Sequence, residues 1–174
     1  MHCGECGRRG VGGAILKGGS SAVVLLRGFE EGDQGAVLAF LEECLPQSGR
    51  TWDPAGRHRL YGSIGASFDD FWCLLDGGNV VGTAALKKLD GAKCELKALY
   101  LLQAYHGRGL GRRLLETAIS RARETGCKEM YLDTLSTSKR AIRLYEKMGF
   151  TRTKRYNGNE AADVFMVLRL DNWE

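Results

Sequence analysis

No apolar run in this chain approaches the ~20 residues that a membrane-spanning helix needs, so no membrane partner is expected. The opening stretch MHCGECGRRG lacks the apolar core of a secretory signal, which makes a cytoplasmic location the expectation. Excess charge is also scarce. Lys and Arg number 25 against 21 Asp and Glu, and the formal +4 is too small to suggest a nucleic-acid partner. About half of that excess sits in the first residues, where Arg8, Arg9 and Lys17 face only Glu5. Metal-spaced cysteines are short as well. Cys3 and Cys6 form one CxxC, no second pair completes a four-ligand zinc site, and no metal is expected. Cys44, Cys73, Cys94 and Cys127 are scattered among apolar residues and read as buried, reduced thiols. Only three histidines, His2, His58 and His106, are available for proton transfer. No repeat or linker divides the chain.

What remains is the composition of one globular domain, 44% hydrophobic and 26% charged over 174 residues. Residues 1–21 are glycine-rich without apolar periodicity and read as a flexible leader, leaving residues 22–174 as the domain. AVVLLRGF (22–29) predicts a first strand. Asp33 is placed to cap a helix carrying Val37, Leu38, Leu41 and Leu45, stopped by Pro46. Residues 47–68 show little pattern, and so long a weak stretch is expected to border a pocket. Three strands follow, FWCLLD, VVGTAALKKL and CELKALYLL, separated by Asp-Gly turns and expected to form an antiparallel meander. Leu110, Leu114, Leu115, Ala118, Ile119 and Ala122 then recur at helical spacing up to Gly126. KEMYLDTL predicts a strand, SKRAIRLYEKMGF a helix ending at Gly149, and two final strands close the chain. The fold class is therefore α+β, with a mixed, mostly antiparallel sheet of about six to seven strands flanked by helices.

Between the third strand of the meander and its helix lies YHGRGLGRR, with Gly107, Gly109 and Gly111 at every second position. Each glycine costs conformational entropy on folding, so three together imply an unusual backbone path or a close ligand. The stretch is not a Walker loop, because Arg112 and Arg113 follow Gly111 where lysine and a hydroxyl should stand. Nor is it a dinucleotide fingerprint, because Arg112 occupies the third glycine position. What survives is a strand, a glycine turn and a helix. Successive N–H groups there converge on an anion, the helix dipole adds positive charge, and Arg108, Arg112 and Arg113 are at hand for phosphates.

The segment from Cys94 to Phe150, with YLDTL and AIRLYEKMGF following the glycine turn, resembles the GNAT superfamily of N-acetyltransferases. That family's loop has the pattern Gln/Arg-x-x-Gly-x-Gly/Ala, matched here by His106, Gly107, Arg108, Gly109, Leu110 and Gly111, with His106 departing from the usual residue. The resemblance implies that these residues and Arg112 bind the pyrophosphate of acetyl-CoA, the co-substrate. It implies also that pantetheine runs along the edge of Leu99, Tyr100 and Leu101 like an added strand, a backbone N–H there steadying the carbonyl oxygen. Ser138 and Arg140 are further cofactor candidates by position, although the hydroxyls of Ser136, Thr137 and Ser138 serve equally as helix caps.

Acyl transfer from a thioester to an amine requires a base for the amine, stabilisation of the carbonyl oxygen and a proton for the leaving thiolate. Glu95, in the ELK segment the family shares, is the candidate base, directly or through water; a surface carboxylate paired with Lys97 is the competing reading. Tyr145 is the candidate acid, since the matching tyrosine of the family lies near the CoA sulfur; core packing is its alternative. The reading is an acetyl-CoA-dependent N-acetyltransferase acting by direct attack on the primary amine of a small molecule or peptide. A non-catalytic acyl-CoA sensor on the same fold is the second reading. The acceptor should be shaped by residues 47–68 and by YNGNEAAD (156–163), and a homodimer is the default assembly.

Overall fold

Aliphatic runs punctuated by glycines at positive φ build the first half of the sheet. A computed structural model describes residues 23–170; the leader, with Cys3 and Cys6, and the last four residues lie outside the described residues. Strand β1 spans Leu25–Gly28, β2 Asp70–Asp76, β3 Asn79–Lys88 and β4 Lys93–Leu101. Gly77 and Gly78, at φ +56° and +85°, make the β2–β3 turn that only residues free of a Cβ adopt readily. β5 covers Glu129–Thr134, β6 Thr151–Arg152 and β7 Val164–Arg169. The seven strands run in the order β1-β2-β3-β4-β5-β7-β6. All neighbours are antiparallel except β4 and β5, which are joined in parallel through a crossover helix. The expected mixed, mostly antiparallel sheet is what forms.

Helix α1 spans Gln34–Gln47, α2 Ile64–Ser67, α3 Leu110–Glu124 and α4 Lys139–Lys147. The apolar stripe of α3 is buried with Leu86, Leu96, Met130, Leu132 and Met166 on one face of the sheet. α1 covers the other face, where Val37, Leu41 and Leu45 pack with Cys73, Ala85 and Tyr61. Gly149 ends α4 at φ +95°, where an added Cβ would sit 3.3 Å from Leu168. No helix among the described residues is long and apolar enough to cross a membrane.

Three local expectations are corrected. Among the described residues β1 is shorter than the expected strand: its ladder with β2 runs over Leu25–Gly28, followed by one bond from the Phe29 N–H to the Phe71 carbonyl at 2.8 Å. Asp33 does not cap α1 with its side chain. Its carboxylate accepts instead from the Glu30 N–H at 2.8 Å and takes Arg27 at 2.7 and 3.0 Å. Pro46 lies within the last turn of α1, which ends one residue later at Gln47.

One irregularity in β4 organises everything that follows. Register with β3 steps from Thr83↔Tyr100 to Ala85↔Lys97, so a bulge interrupts the ladder, and Ala98 sits at φ +53°. A non-glycine residue there is strained, and its carbonyl is held by the buried Thr83 hydroxyl, which donates at 2.6 Å. The bulge resets the pleat. Cys94 and Leu96 face the α3 side, whereas Ala98 and Tyr100 face the α1 side. It also bends the strand, and pairing with β5 is confined to Lys93–Glu95. Beyond Glu95 the two strands part and the sheet forks.

Candidate active site

The fork leaves the β5-facing edge of β4 without a ladder partner from residue 96 onward. Two cavities occupy the opening. One, of about 740 Å3, lies between the end of β4, the glycine turn and α4. The other, of about 450 Å3, lies between β4, β5 and residues 50–68. Arg50, Leu99, Tyr100, Ser138 and Ala141 border both, so they are two parts of one cleft.

The larger part is built mainly from backbone. Gly107 and Gly109 adopt φ +77° and +74°, and Gly109 is the N-cap of α3. An added Cβ on Gly107 would stand 3.7 Å from Arg140, whereas around Gly109 the space is open. The turn is pinned at its start, where the Gln47 side chain accepts from the Gln103 N–H at 2.8 Å. The His106 ring donates from Nε2 to the Leu101 carbonyl at 3.0 Å, tying the turn to the end of β4. Of the sequence-predicted cofactor residues, Leu99, Tyr100, Leu101, His106, Gly107, Gly109, Leu110, Gly111, Arg112, Ser138 and Arg140 line this cavity. Arg108 does not; its guanidinium lies over the Tyr105 ring, 5.2 Å from the centroid. Arg112 is shared with Glu116 at 2.7 Å, while Lys139, Arg143 and Lys147 of α4 add positive charge to the rim.

The smaller part is built from side chains. Tyr145, buried from α4, lines it, and burial together with the nearby Tyr100 pushes its hydroxyl well above the ordinary tyrosine range. Tyr61 and Tyr100 are raised by burial too, and the Arg50 charge opposes the shift in all three. Arg50 donates to the Ser48 and Ser138 hydroxyls at 3.0 Å each and stands over the Tyr100 ring. Ser138 is the N-cap residue of α4 by position, yet its hydroxyl serves Arg50 rather than the helix.

Glu95 is placed differently from a carboxylate standing free in a cleft. It is only 4% exposed, borders neither cavity, and is held by Lys97 Nζ at 2.5 Å. It is therefore paired with Lys97, but as a buried carboxylate and not a surface one. The Tyr156 hydroxyl is buried near it without a well-formed hydrogen bond, and burial with the Glu95 charge drives its pKa far up.

Asp133 carried no sequence signal of its own; Arg50 and His58 fall within residues 47–68 and the Asn157–Asn159 turn within residues 156–163, the stretches expected to shape the acceptor, but none of them was given a role. Asp133, half-buried on β5, accepts from Asn157 Nδ2 at 2.5 Å and Asn159 Nδ2 at 3.2 Å. His58 is buried, stacks on Trp52 with ring centres 5.1 Å apart, and accepts the Asp53 N–H at Nδ1 at 3.0 Å. Burial and the neighbouring Arg57 hold its pKa below the ordinary value, so the ring is neutral at pH 7. The weak pattern of residues 47–68 had indicated a pocket wall but not which residues would form it. Among the described residues no group of three or more His, Cys, Asp or Glu side chains could hold a metal ion.

A forked mixed sheet with a glycine turn opening a helix at the fork defines a class of α+β domain. Residues 37–150 match the model of the Acetyltransferase (GNAT) family, and the chain belongs to that family. The N-acetyltransferase YjgM of Escherichia coli (strain K12), itself uncharacterised, is 41% identical over 83 residues, covering 46% of this chain and 50% of the relative. The uncharacterised N-acetyltransferase Rv2669 of Mycobacterium tuberculosis is 36% identical over 97 residues, covering 53% of this chain and 62% of the relative. The alignments thus span only 50% and 62% of these curated relatives. Among solved structures, a GNAT-family acetyltransferase of Staphylococcus aureus Mu50 superposes with TM-score 0.79 at 19% identity, over 86% of this chain and all of that one. The yncA acetyltransferase of Salmonella typhimurium, solved with its cofactor acetyl-CoA, superposes with TM-score 0.62 at 27% identity, over 87% of this chain and 96% of that one.

Proposed function

We propose that this protein transfers an acetyl group from acetyl-CoA to the primary amine of a small molecule or peptide, by direct attack with both substrates bound. The observation that carries the reading is the continuity of the cleft. An anion cradle, an unpaired strand edge and the Tyr145 hydroxyl follow one another along one opening.

The residues present fit acetyl-CoA. Gly107 and Gly109 hold the backbone in a turn whose N–H groups and helix dipole suit a pyrophosphate, with Arg112 and Arg140 at the lining. The exposed edge at Leu99, Tyr100 and Leu101 offers backbone groups to an amide-bearing chain. When bound, acetyl-CoA supplies the activated thioester. Backbone N–H groups past the Ala98 bulge are fixed in place for the carbonyl oxygen and need no reorganisation. Tyr145, whose raised pKa keeps its proton at neutral pH, delivers that proton to the departing sulfur. Glu95 takes the proton of the amine through a water relay, because its carboxylate stands behind Lys97 rather than at the cavity surface.

The test is thiol release from acetyl-CoA with a panel of amines, amino acids, polyamines and peptide N-termini. Saturable binding of CoA with no turnover on any of them would favour the sensor reading instead.

A further inference from the structure

Resting on that proposed activity, we infer that the acceptor is a small zwitterion: an amine that also carries a carboxylate or equivalent anion, recognised by Arg57 and His58.

The charges of the smaller cavity argue against a plain amine or a polyamine. Its lining carries Arg50, Arg57 and Lys97 against the single carboxylate of Asp133. Two of those cations are already engaged, Lys97 with Glu95 and Arg50 with Ser48 and Ser138. Arg57 has no ion-pair partner among the described residues. Its backbone is nevertheless fixed, since its N–H donates to Asp53 Oδ2 at 3.2 Å. The cavity therefore offers a guanidinium on a built turn, the group best suited to take a carboxylate with two parallel hydrogen bonds.

His58 supplies an independent observation. It is 7% exposed, and the Asp53 N–H occupies Nδ1, so the proton of the neutral ring must be on Nε2. Nε2 has no partner among the hydrogen bonds of the described residues, and the residue lines the cavity. That N–H opens into the cavity, where an anionic ligand beside Arg57 can accept it. At the β5 wall Asp133 gives each carboxylate oxygen only one amide partner, leaving lone pairs for an ammonium group. The cavity is thus bipolar: an acceptor of anions on the 53–58 turn and an acceptor of cations on β5. Its volume of about 450 Å3 is that of a small-molecule site.

The experiment compares matched acceptors with saturating acetyl-CoA: an amino acid, its decarboxylated amine, its methyl ester, and the phosphonate analogue. The expected result is at least a tenfold higher kcat/KM for the anionic members, expressed mainly in KM. In Arg57→Gln the ratio of acid to ester should fall toward one. His58→Asn keeps an acceptor for the Asp53 N–H but removes the Nε2 donor, and should lower the ratio part of the way. A preference for phosphonate over carboxylate would keep the inference and name the anion. Ester or decarboxylated amine used as well as the acid overturns it while leaving the acetyltransferase standing, as does an Arg57→Gln enzyme with an unchanged ratio. Turnover of no member overturns the inference, and the acetyltransferase falls with it only if the wider panel of amines and peptides also fails.

Discussion

The two parts of the cleft are made from different materials. The cavity at the glycine turn is shaped by backbone: left-handed φ at Gly107 and Gly109, a helix N-terminus and an unpaired strand edge. Side chains such as Gln47 and His106 serve there to hold the backbone in place. The cavity toward residues 50–68 is shaped by side chains borrowed from four separate stretches, with Arg57, His58, Tyr145, Asp133 and Asn159 among them. Backbone geometry fits a ligand common to many proteins, whereas side-chain walls can be rebuilt around each acceptor. The expected consequence is a separation of effects: changes in the first part act on CoA affinity, and changes in the second on acceptor use and turnover.

The largest effect should come from Gly109→Asp. The substitution forces a Cβ into the left-handed region and puts negative charge in the anion cradle, and acetyl-CoA affinity should fall by about 10²-fold or more. Calorimetric titration checks it, with circular dichroism to show a folded protein; unchanged affinity would remove the cradle. Next is Tyr145→Phe, which keeps the ring packed on Phe150 and deletes the hydroxyl. Turnover should fall about 10²-fold while CoA affinity stays near normal. A fall in affinity without a fall in turnover would reverse the division between the two parts.

Glu95→Gln should cost roughly tenfold in turnover at neutral pH and recover as pH approaches the ~10 of a free amine. His106→Gln should act elsewhere, because that ring anchors the glycine turn to the Leu101 carbonyl and borders the larger cavity, not the one that Tyr145 lines. Turnover against pH for both variants decides the matter. If His106→Gln loses the acidic limb and Glu95→Gln keeps it, the base has been misassigned.

The smallest effect concerns stability. Hydrogen bonds from the Ser136 hydroxyl and N–H hold the Asp163 carboxyl below its ordinary 3.8. A depressed folded pKa gives stability that is present above 3.8 and is lost as pH falls through the folded value. Asp163→Asn should therefore lower Tm slightly at pH 7 and by less at pH 3, below the unfolded 3.8. Thermal melts at the two pH values test this, and an equal loss at both would show that charge is not involved.

The same division governs what could be read from the chain. The glycines at 107, 109 and 111, the α3 stripe and the LYEKMGF run are local patterns, and each marks its element without help from elsewhere. Asp133 and Arg50 acquire meaning only when β5 and the 47–68 segment meet across the fork, and no periodicity announces that. Asp33 was misread because Arg27, on a different element, competes for its carboxylate. Glu95 was placed on the right strand, but its burial beside Tyr156 brings in a residue far along the chain, which alternation along β4 does not anticipate.

That single bulge also sets a clock on the molecule. Where β4 and β5 pair, at Lys93–Glu95, amide protons are locked in a ladder and should leave only when the sheet opens. Beyond it, backbone amides on the β5-facing edge meet solvent instead of a partner and should exchange with deuterium quickly. A strand edge that trades its protons fast when empty and slowly when filled would report occupancy of the cleft residue by residue, with no label attached to the protein.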